Sequence, residues 1–334
     1  MTVWNGADFV SEAIESVLGQ TFTDLELIVV NDGSTDSTEN ILEGYETRDD
    51  RVQIVTQERR GVVLSANRGC GLARGRYLAR LDADDVALPE RLAEQVAFLD
   101  SHPETAAVGG AVVFSSFSGK PASTVQYPAT DRAIRDALPY SCPLLHSAAT
   151  MRRAAFDAVG GYRLRPYAED YDLWLRLATR FRLANLPAAV VRYRVHPGQI
   201  SGKNLRQLAA CTLAARAAAR QRAKSDHDPL PGIVDVTSQT LAVLGVAEVE
   251  VAREEVTLGL WYAKTLFATG ATSDATRLFR TLQRRARADA STPDLLPLIL
   301  EEEARCHHRD RKRIRARLVR IRAWRARQRV QRSG

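Results

Sequence analysis

Tyr77-Leu78-Ala79-Arg80-Leu81-Asp82-Ala83-Asp84-Asp85 is the stretch on which the fold of this chain turns. It reads as an apolar strand that ends in three carboxylates within four residues, and Pro89-Glu90-Arg91 behind it opens a helix. Carboxylates crowded at a strand end repel one another unless a cation neutralises them. Mg2+ or Mn2+ suits such a cluster, because both ions take carboxylate and phosphate oxygens and keep some waters. Taken alone, Asp-x-Asp is a common tripeptide and is more often an acidic loop that caps the next helix.

The residues upstream change that balance. Leu25-Glu26-Leu27-Ile28-Val29-Val30 is a continuous apolar run that breaks at Asn31-Asp32-Gly33. Such a run predicts a strand buried on both faces, as in a parallel sheet. Val10, Ala13, Ile14, Val17 and Leu18 recur at helical spacing before it, and Ile41, Leu42 and Tyr45 after it. A short strand, Val52-Gln53-Ile54-Val55, and a helical segment from Leu64 to Ala73 complete the alternation. Helix and strand in turn predict an α/β domain with a mostly parallel sheet flanked by helices. Ligands of such sheets bind outside the carboxyl ends of the strands, so Asp32 and Asp84 should face one crevice.

Several runs resemble the family 2 glycosyltransferases of GT-A fold. They are Asn5-Gly6-Ala7-Asp8, Glu26 to Asp36, Gly75 to Asp85, Leu88-Pro89-Glu90-Arg91-Leu92, Gly160-Gly161-Tyr162, Ala168 to Leu177 and Tyr193 to Ser201. They stand in the family's order and cover about residues 1–202. The resemblance implies inverting transfer of a sugar from a nucleotide-diphosphate sugar, with a UDP-sugar the expected donor. It places the divalent ion at Asp84 and Asp85. Asp82 is either a further ligand or points into the fold. It implies a nucleotide contact at Asp32, although that residue also reads as a turn Asp ahead of Gly33. Asn31 stands where the family commonly has another Asp. Asn67 either reaches the nucleotide or ties its helix to the sheet.

For the base that takes the acceptor's proton, the resemblance points to Asp170, with Glu169 beside it as a substrate contact and the next candidate. The bland reading is that acids in a first helical turn suit the helix dipole. Asp172, two residues on, reads as structural. His146 and His196 lie in loops that match the family; a lone His is more often a hydrogen-bonded structural residue, and His146 is carried as a candidate donor contact. The Gln-x-x-Arg-Trp signature of processive synthases is missing, so single sugar addition is expected. A glycan or lipid-linked acceptor of the cell envelope fits that reading. Two alternatives compete: a sugar-nucleotide nucleotidyltransferase, and a catalytically degenerate relative acting as a scaffold. Against the former, no Gly-rich, Lys-containing phosphate loop stands near the N-terminus.

Charge divides the chain. Residues 1–200 carry 21 Lys+Arg against 26 Asp+Glu, and residues 201–334 carry 26 against 14. An acidic catalytic domain over 1–202 and an all-helical basic extension over 203–334 are therefore expected. Helices are expected over Gln207–Ala223 and as a hairpin around Gly270. Arg309 to Arg332 holds 12 Lys+Arg against Asp310 alone, with Ile314, Leu318, Ile321 and Trp324 at helical spacing. That pattern predicts a helix on an anionic membrane surface. A solvated tail, a docked helix and, least favoured, a nucleic-acid-binding stretch are its competitors. The four cysteines, Cys70, Cys142, Cys211 and Cys306, show no metal-ligand or disulfide spacing. No apolar run approaches the roughly 18 residues of a membrane span. The expected setting is cytoplasmic, with peripheral attachment at the inner face of the membrane. The family's first strand is expected to be truncated here, with Met1-Thr2-Val3-Trp4 alone ahead of Asn5. An internal Met read as the start is the favoured explanation, and true truncation the other.

Overall fold

The computed structural model describes the chain except residues 197, 200–203, 226, 231, 289–293, 310–318, 321 and 324–334. The first third alternates as the apolar runs require. β1 (Thr2–Val3), α1 (Val10–Leu18), β2 (Leu27–Asp32), α2 (Thr38–Glu46), β3 (Val52–Gln57) and α3 (Val62–Leu72) follow in order. β1, β2 and β3 form one parallel sheet with β2 central. Every residue of β2 is buried, as expected of a strand covered on both faces. Val10 and Ile14 of α1 and Leu42 of α2 close the core over Leu27 and Val29. β1 has two residues. The Met1 amino group is buried and donates to Ile28 O at 2.7 Å. A cavity of about 500 Å³ lies beside it, lined by Leu27 and Ile28 of β2 and by Tyr77 and Leu78.

A second sheet carries the acidic loops. β4 (Tyr77–Ala79), β5 (Val86–Ala87), α4 (Arg91–Ser101), β6 (Thr105–Ser115), β7 (Pro121–Val125) and α5 (Asp131–Ala137) come first. A 3₁₀ turn at His146–Ala148 leads into β8 (Thr150–Arg152), α6 (Arg153–Ala158), β9 (Leu164–Arg165), α7 (Glu169–Leu177) and β10 (Arg182–Arg194). The strand order is β4-β8-β6-β10-β5, with β7 on β6. The long β6–β10 pair is parallel, while β8 runs antiparallel to both β4 and β6. Parallel pairing therefore prevails in the first sheet and in the longest ladder, and the second sheet is mixed. Arg91 and Gln95, one turn apart on α4, are buried and act as staples. Arg91 Nη2 donates to Arg80 O at 2.6 Å, and Gln95 Nε2 donates to Ala148 O at 2.8 Å.

The described residues of the basic extension form five helices and one short strand. α8 (Leu205–Arg222), β11 (Val234–Asp235), α9 (Ser238–Val243), α10 (Glu248–Ala268), α11 (Thr272–Ala288) and α12 (Leu295–Arg309) follow β10. α10 and α11 form the expected hairpin, turning at Gly270 with φ +91°. α8 buries Ala209, Ala210, Leu213, Ala214 and Ala217 in the same core as Leu173, Trp174 and Leu177 of α7. β11 adds a parallel pair to β9. The change at residue 202 is thus a change of charge, while the packing runs through it. Ile314, Leu318, Ile321 and Trp324 lie outside the described residues. Val319 and Ala323, between them, pack on Leu300 and Ala304 of α12.

Candidate active site

The loop from Arg80 to Asp85 leaves β4 at the end of the second sheet. Backbone bonds fix it: Arg80 N donates to Ala149 O at 2.8 Å, and Asp85 N to Asp82 O at 3.1 Å. Ser147 Oγ accepts from Asp82 N at 3.0 Å. The three carboxylates then diverge. Asp82 is part-exposed, and its Oδ1 accepts from Arg80 Nη2 at 2.8 Å. Asp84 is part-exposed and faces His196, Oδ2 to Nε2 at 3.0 Å. Asp85 is fully buried. Its Oδ1 accepts from Arg194 N at 2.9 Å, and its Oδ2 is a buried oxygen without a partner. Burial, then the charges of Asp84 and Asp82, push the Asp85 carboxyl well above the ordinary range. Arg194 also donates to Asp84 O at 3.0 Å and pairs with Glu12 of α1.

His196 is held from three sides. Phe9 lies 4.9 Å and Phe117 6.2 Å away, ring to ring. From α10, Tyr262 OH donates to His196 O at 2.8 Å. The extension therefore reaches the acidic loop through His196.

A second acidic element opens α7. Ala168 enters the helix at φ +60°, a left-handed conformation that costs a non-glycine residue about 1–2 kcal/mol. Such strain is kept where the surrounding structure over-determines it. Here it sets Glu169 and Asp170 in the first turn. Asp170 Oδ1 accepts from its neighbour Tyr171 N at 2.7 Å, and Cys142 Sγ lies 3.9 Å from Oδ2. Burial, then the charge of Asp170, pushes Glu169 up to about 8, and burial pushes Asp170 up to about 6. Burial and their mutual repulsion make both carboxyls harder to ionise than free ones.

His146 joins the two acidic elements. Arg80 Nε, an obligate donor, points at His146 Nε2 from 3.2 Å, and Tyr162 OH lies 2.8 Å from the same nitrogen. Nε2 is therefore the acceptor and Nδ1 carries the proton. Nδ1 faces Glu169 Oε1 at 3.9 Å. Burial, then the Arg80 charge, pushes His146 down to about 3, so it is neutral. Asp82, Arg80 and His146 are hydrogen-bonded in series, and Glu169 lies next in line, 3.9 Å from the neutral imidazole.

Asp32 and Asn67 lie on the nucleotide side of the reading. Asp32 accepts from Gln57 Nε2, Arg60 N and Gly61 N, each at 2.8 Å. Burial works against its charge. The bonds from Arg60, Gln57, Ser65 and Gly61 outweigh burial and hold it below the ordinary carboxylate range. Asn67 engages both ends of its amide with Tyr162, Nδ2 to O at 2.7 Å and N to Oδ1 at 2.9 Å. These bonds tie α3 to the Tyr162 loop rather than to the sheet. Asp172 is fully buried between Arg163 and Arg176, which matches its structural reading. Sequence reasoning missed Arg80, Tyr162 and Arg194. An arginine in the middle of an apolar strand run was the available signal for Arg80.

Among the described residues no three His, Cys, Asp or Glu side chains are preassembled around a metal position. No described helix is long and apolar enough to cross a membrane.

The Glycosyl transferase family 2 model matches residues 1–160. An uncharacterized glycosyltransferase of Haemophilus influenzae is 32% identical over 214 residues, covering 59% of this chain and 65% of that protein. The O-antigen biosynthesis glycosyltransferase WbnJ of Escherichia coli is 30% identical over 200 residues, covering 59% of this chain and 78% of WbnJ. Two solved structures share the fold. Staphylococcus aureus TarS 1-349 in complex with UDP-GlcNAc has a TM-score of 0.55 at 16% identity, covering 96% of this chain and 89% of that one. The mannosyltransferase PcManGT of Pyrobaculum calidifontis, in complex with GDP-Man and Mn2+, has a TM-score of 0.52 at 18% identity, covering 96% and 85%. With 30% identity over 78% of WbnJ and the family model over residues 1–160, the chain belongs to the family 2 glycosyltransferases.

Proposed function

We propose that this glycosyltransferase works by inversion, moving one sugar from a nucleotide-diphosphate sugar to a glycan or lipid-linked acceptor of the cell envelope. The observation that carries the reading is the contact chain from Asp82 through Arg80 and His146 to Glu169. It brings the carboxylate assigned here to the donor side near the one assigned to the base side. Asp170 is the base. Raised to about 6, it is ionised at neutral pH and still basic enough to accept a proton. It takes the acceptor hydroxyl's proton as that oxygen attacks the anomeric carbon and the nucleoside diphosphate departs. No enzyme nucleophile takes part. Glu169, raised to about 8, stays protonated and can donate a hydrogen bond to the substrate. Asp32 and Asp82 are the nucleotide-side contacts, and Asn67 holds the Tyr162 loop in place.

The donor set fits Mg2+ or Mn2+. Asp84 is a part-exposed carboxylate with an imidazole nitrogen at 3.0 Å, and Asp85 presents the unpartnered oxygen behind it. When bound, the ion supplies charge neutralisation for the departing diphosphate. His196 joins Asp84 in this proposed set, and Asp85 anchors the loop from within. A neighbour solved with UDP-GlcNAc supports a UDP-sugar donor, and one solved with GDP-Man and Mn2+ supports the ion. WbnJ's role in O-antigen biosynthesis supports an envelope acceptor. The cationic tail, Arg309 to Arg332, supports peripheral attachment to an anionic leaflet at the cytoplasmic face. A panel of nucleotide sugars with Mn2+ or EDTA, read by nucleotide release, tests the reading. Release from a nucleotide sugar that requires Mn2+ is expected; no release from any donor would overturn it.

A further inference from the structure

The outer face of α11 carries Arg277, Arg280, Arg284 and Arg287. All four are exposed, and with Gln283 they line a concavity of about 370 Å³. At about 100° per residue the four fall within a sector of roughly 80°, and they extend over about 15 Å of helix. The opposite face is fully committed: Ala275, Phe279, Leu282 and Ala286 are buried. These arginines therefore do not exist to cover a core.

Ion pairing accounts for one of the four. Arg277 meets Asp274 at 3.5 Å, the only acid in α11. Arg284 reaches only the Thr281 hydroxyl, at 3.3 Å. Among the described residues Arg280, Arg284 and Arg287 have no carboxylate partner. The acids of the neighbouring helices are engaged elsewhere. Glu255 pairs with Arg285 and Arg206, Glu302 with Lys264 and Arg305, and Glu303 accepts from Gln283. Like charges three and four residues apart destabilise a helix unless a counter-charge arrives.

We propose that this arginine face docks on the anionic phospholipid headgroups of a membrane leaflet. The inference rests on the proposed membrane-surface reading of the enzyme and gives it a second, structured contact apart from the tail. With the apolar face of α11 sealed in the bundle, the contact is electrostatic and is weakened by salt. Each cation near an anionic leaflet contributes about fivefold to partitioning, so the four together are worth up to roughly 600-fold.

The test uses the full chain and vesicles of phosphatidylcholine with or without phosphatidylglycerol, at low and high salt. One variant combines R277Q, R280Q, R284Q and R287Q. A second removes the same number of charges from the tail, as R325Q, R327Q, R329Q and R332Q. Hydrolysis of soluble donor and a thermal melt confirm that each variant is folded. We expect the helix variant to lose vesicle binding by up to roughly 600-fold, with donor hydrolysis unchanged. Loss in the tail variant alone would overturn the proposal and leave the tail reading standing. Failure of the unaltered protein to bind phosphatidylglycerol vesicles at low salt would overturn both. Unchanged vesicle binding by the helix variant, with loss of a gel shift on duplex RNA, would assign the face to nucleic acid instead.

Discussion

Asp172→Asn should destabilise the protein by about 3 kcal/mol, the lower end of the range for removing one partner from a buried ion pair. Asp172 lies fully buried, accepting from Arg163 Nε at 2.8 Å, Arg163 Nη2 at 2.9 Å and Arg176 Nε at 2.8 Å. The amide keeps an acceptor but loses the charge between two buried guanidinium groups. Arg163 retains Asp228 and Leu230 O, and Arg176 retains Gly161 O, which is why the lower end applies. With an unfolding entropy of about 2.1 cal/mol/K per residue, 3 kcal/mol corresponds to a melting shift of roughly 4 °C. Thermal and urea unfolding at neutral pH, followed by circular dichroism, measure it. Burial opposes the Asp172 charge, but Arg176 and Arg163 outweigh burial and hold its pKa below 3.8. Its stabilisation is therefore full above 3.8 and is lost as pH falls through the lower folded value. The gap between the two proteins should close at that acid end. A loss under about 1 kcal/mol at neutral pH would refute the argument, since it would mean the two arginines are solvated or otherwise satisfied.

Asp170→Asn should lower kcat by about 10²–10⁴ with donor affinity kept, read by steady-state kinetics; near-normal turnover would move the base to Glu169. Because Asp170 is raised to about 6, kcat/KM should climb as pH rises through that value, and a profile already flat at pH 5 would contradict it. Asp84→Asn should abolish the divalent-dependent part of donor binding in calorimetry with and without EDTA; affinity indifferent to both would sink the ion assignment. Gly33→Ala should weaken donor binding and stability together, by about 1–2 kcal/mol or more. Gly33 sits at φ +71° with its Cβ position 2.8 Å from Arg59 N, so alanine must displace the Arg59–Gly61 loop that caps Asp32. An unchanged melting temperature would show that the loop gives way freely.

The acidic loop and the start of α7 were legible because their chemistry is local. Three carboxylates behind an apolar strand, and an acidic first turn ahead of Leu173 and Leu177, each fit inside a short window. β2 was legible because burial on both faces leaves an unbroken apolar run. Arg80 was not, because its meaning depends on His146, 66 positions away, and nothing in Tyr77–Leu81 forecasts that partner. The hydrogen-bond partner of Asn67, Tyr162, stands 95 positions on, out of reach of any local pattern. The mixed second sheet escaped because β8 has only three residues, too few to show a period. The charge step at residue 202 suggested separate units, since charge reports the surface, whereas the alanine face of α8 reports the core.

That alanine face also dictates an order of events during synthesis. α7 carries the proposed base, yet Trp174 and Leu177 are covered by residues 209–218 and by Leu230, Val236 and Leu241. A ribosome adding about 5–20 residues per second takes roughly 3–13 s to pass from the end of α7 to residue 241. During that interval the core around α7 holds only its upstream members, such as Leu138, Leu144 and Met151, while the sheet of β1, β2 and β3 already has its partners. The catalytic half of this enzyme is therefore made first and finished last.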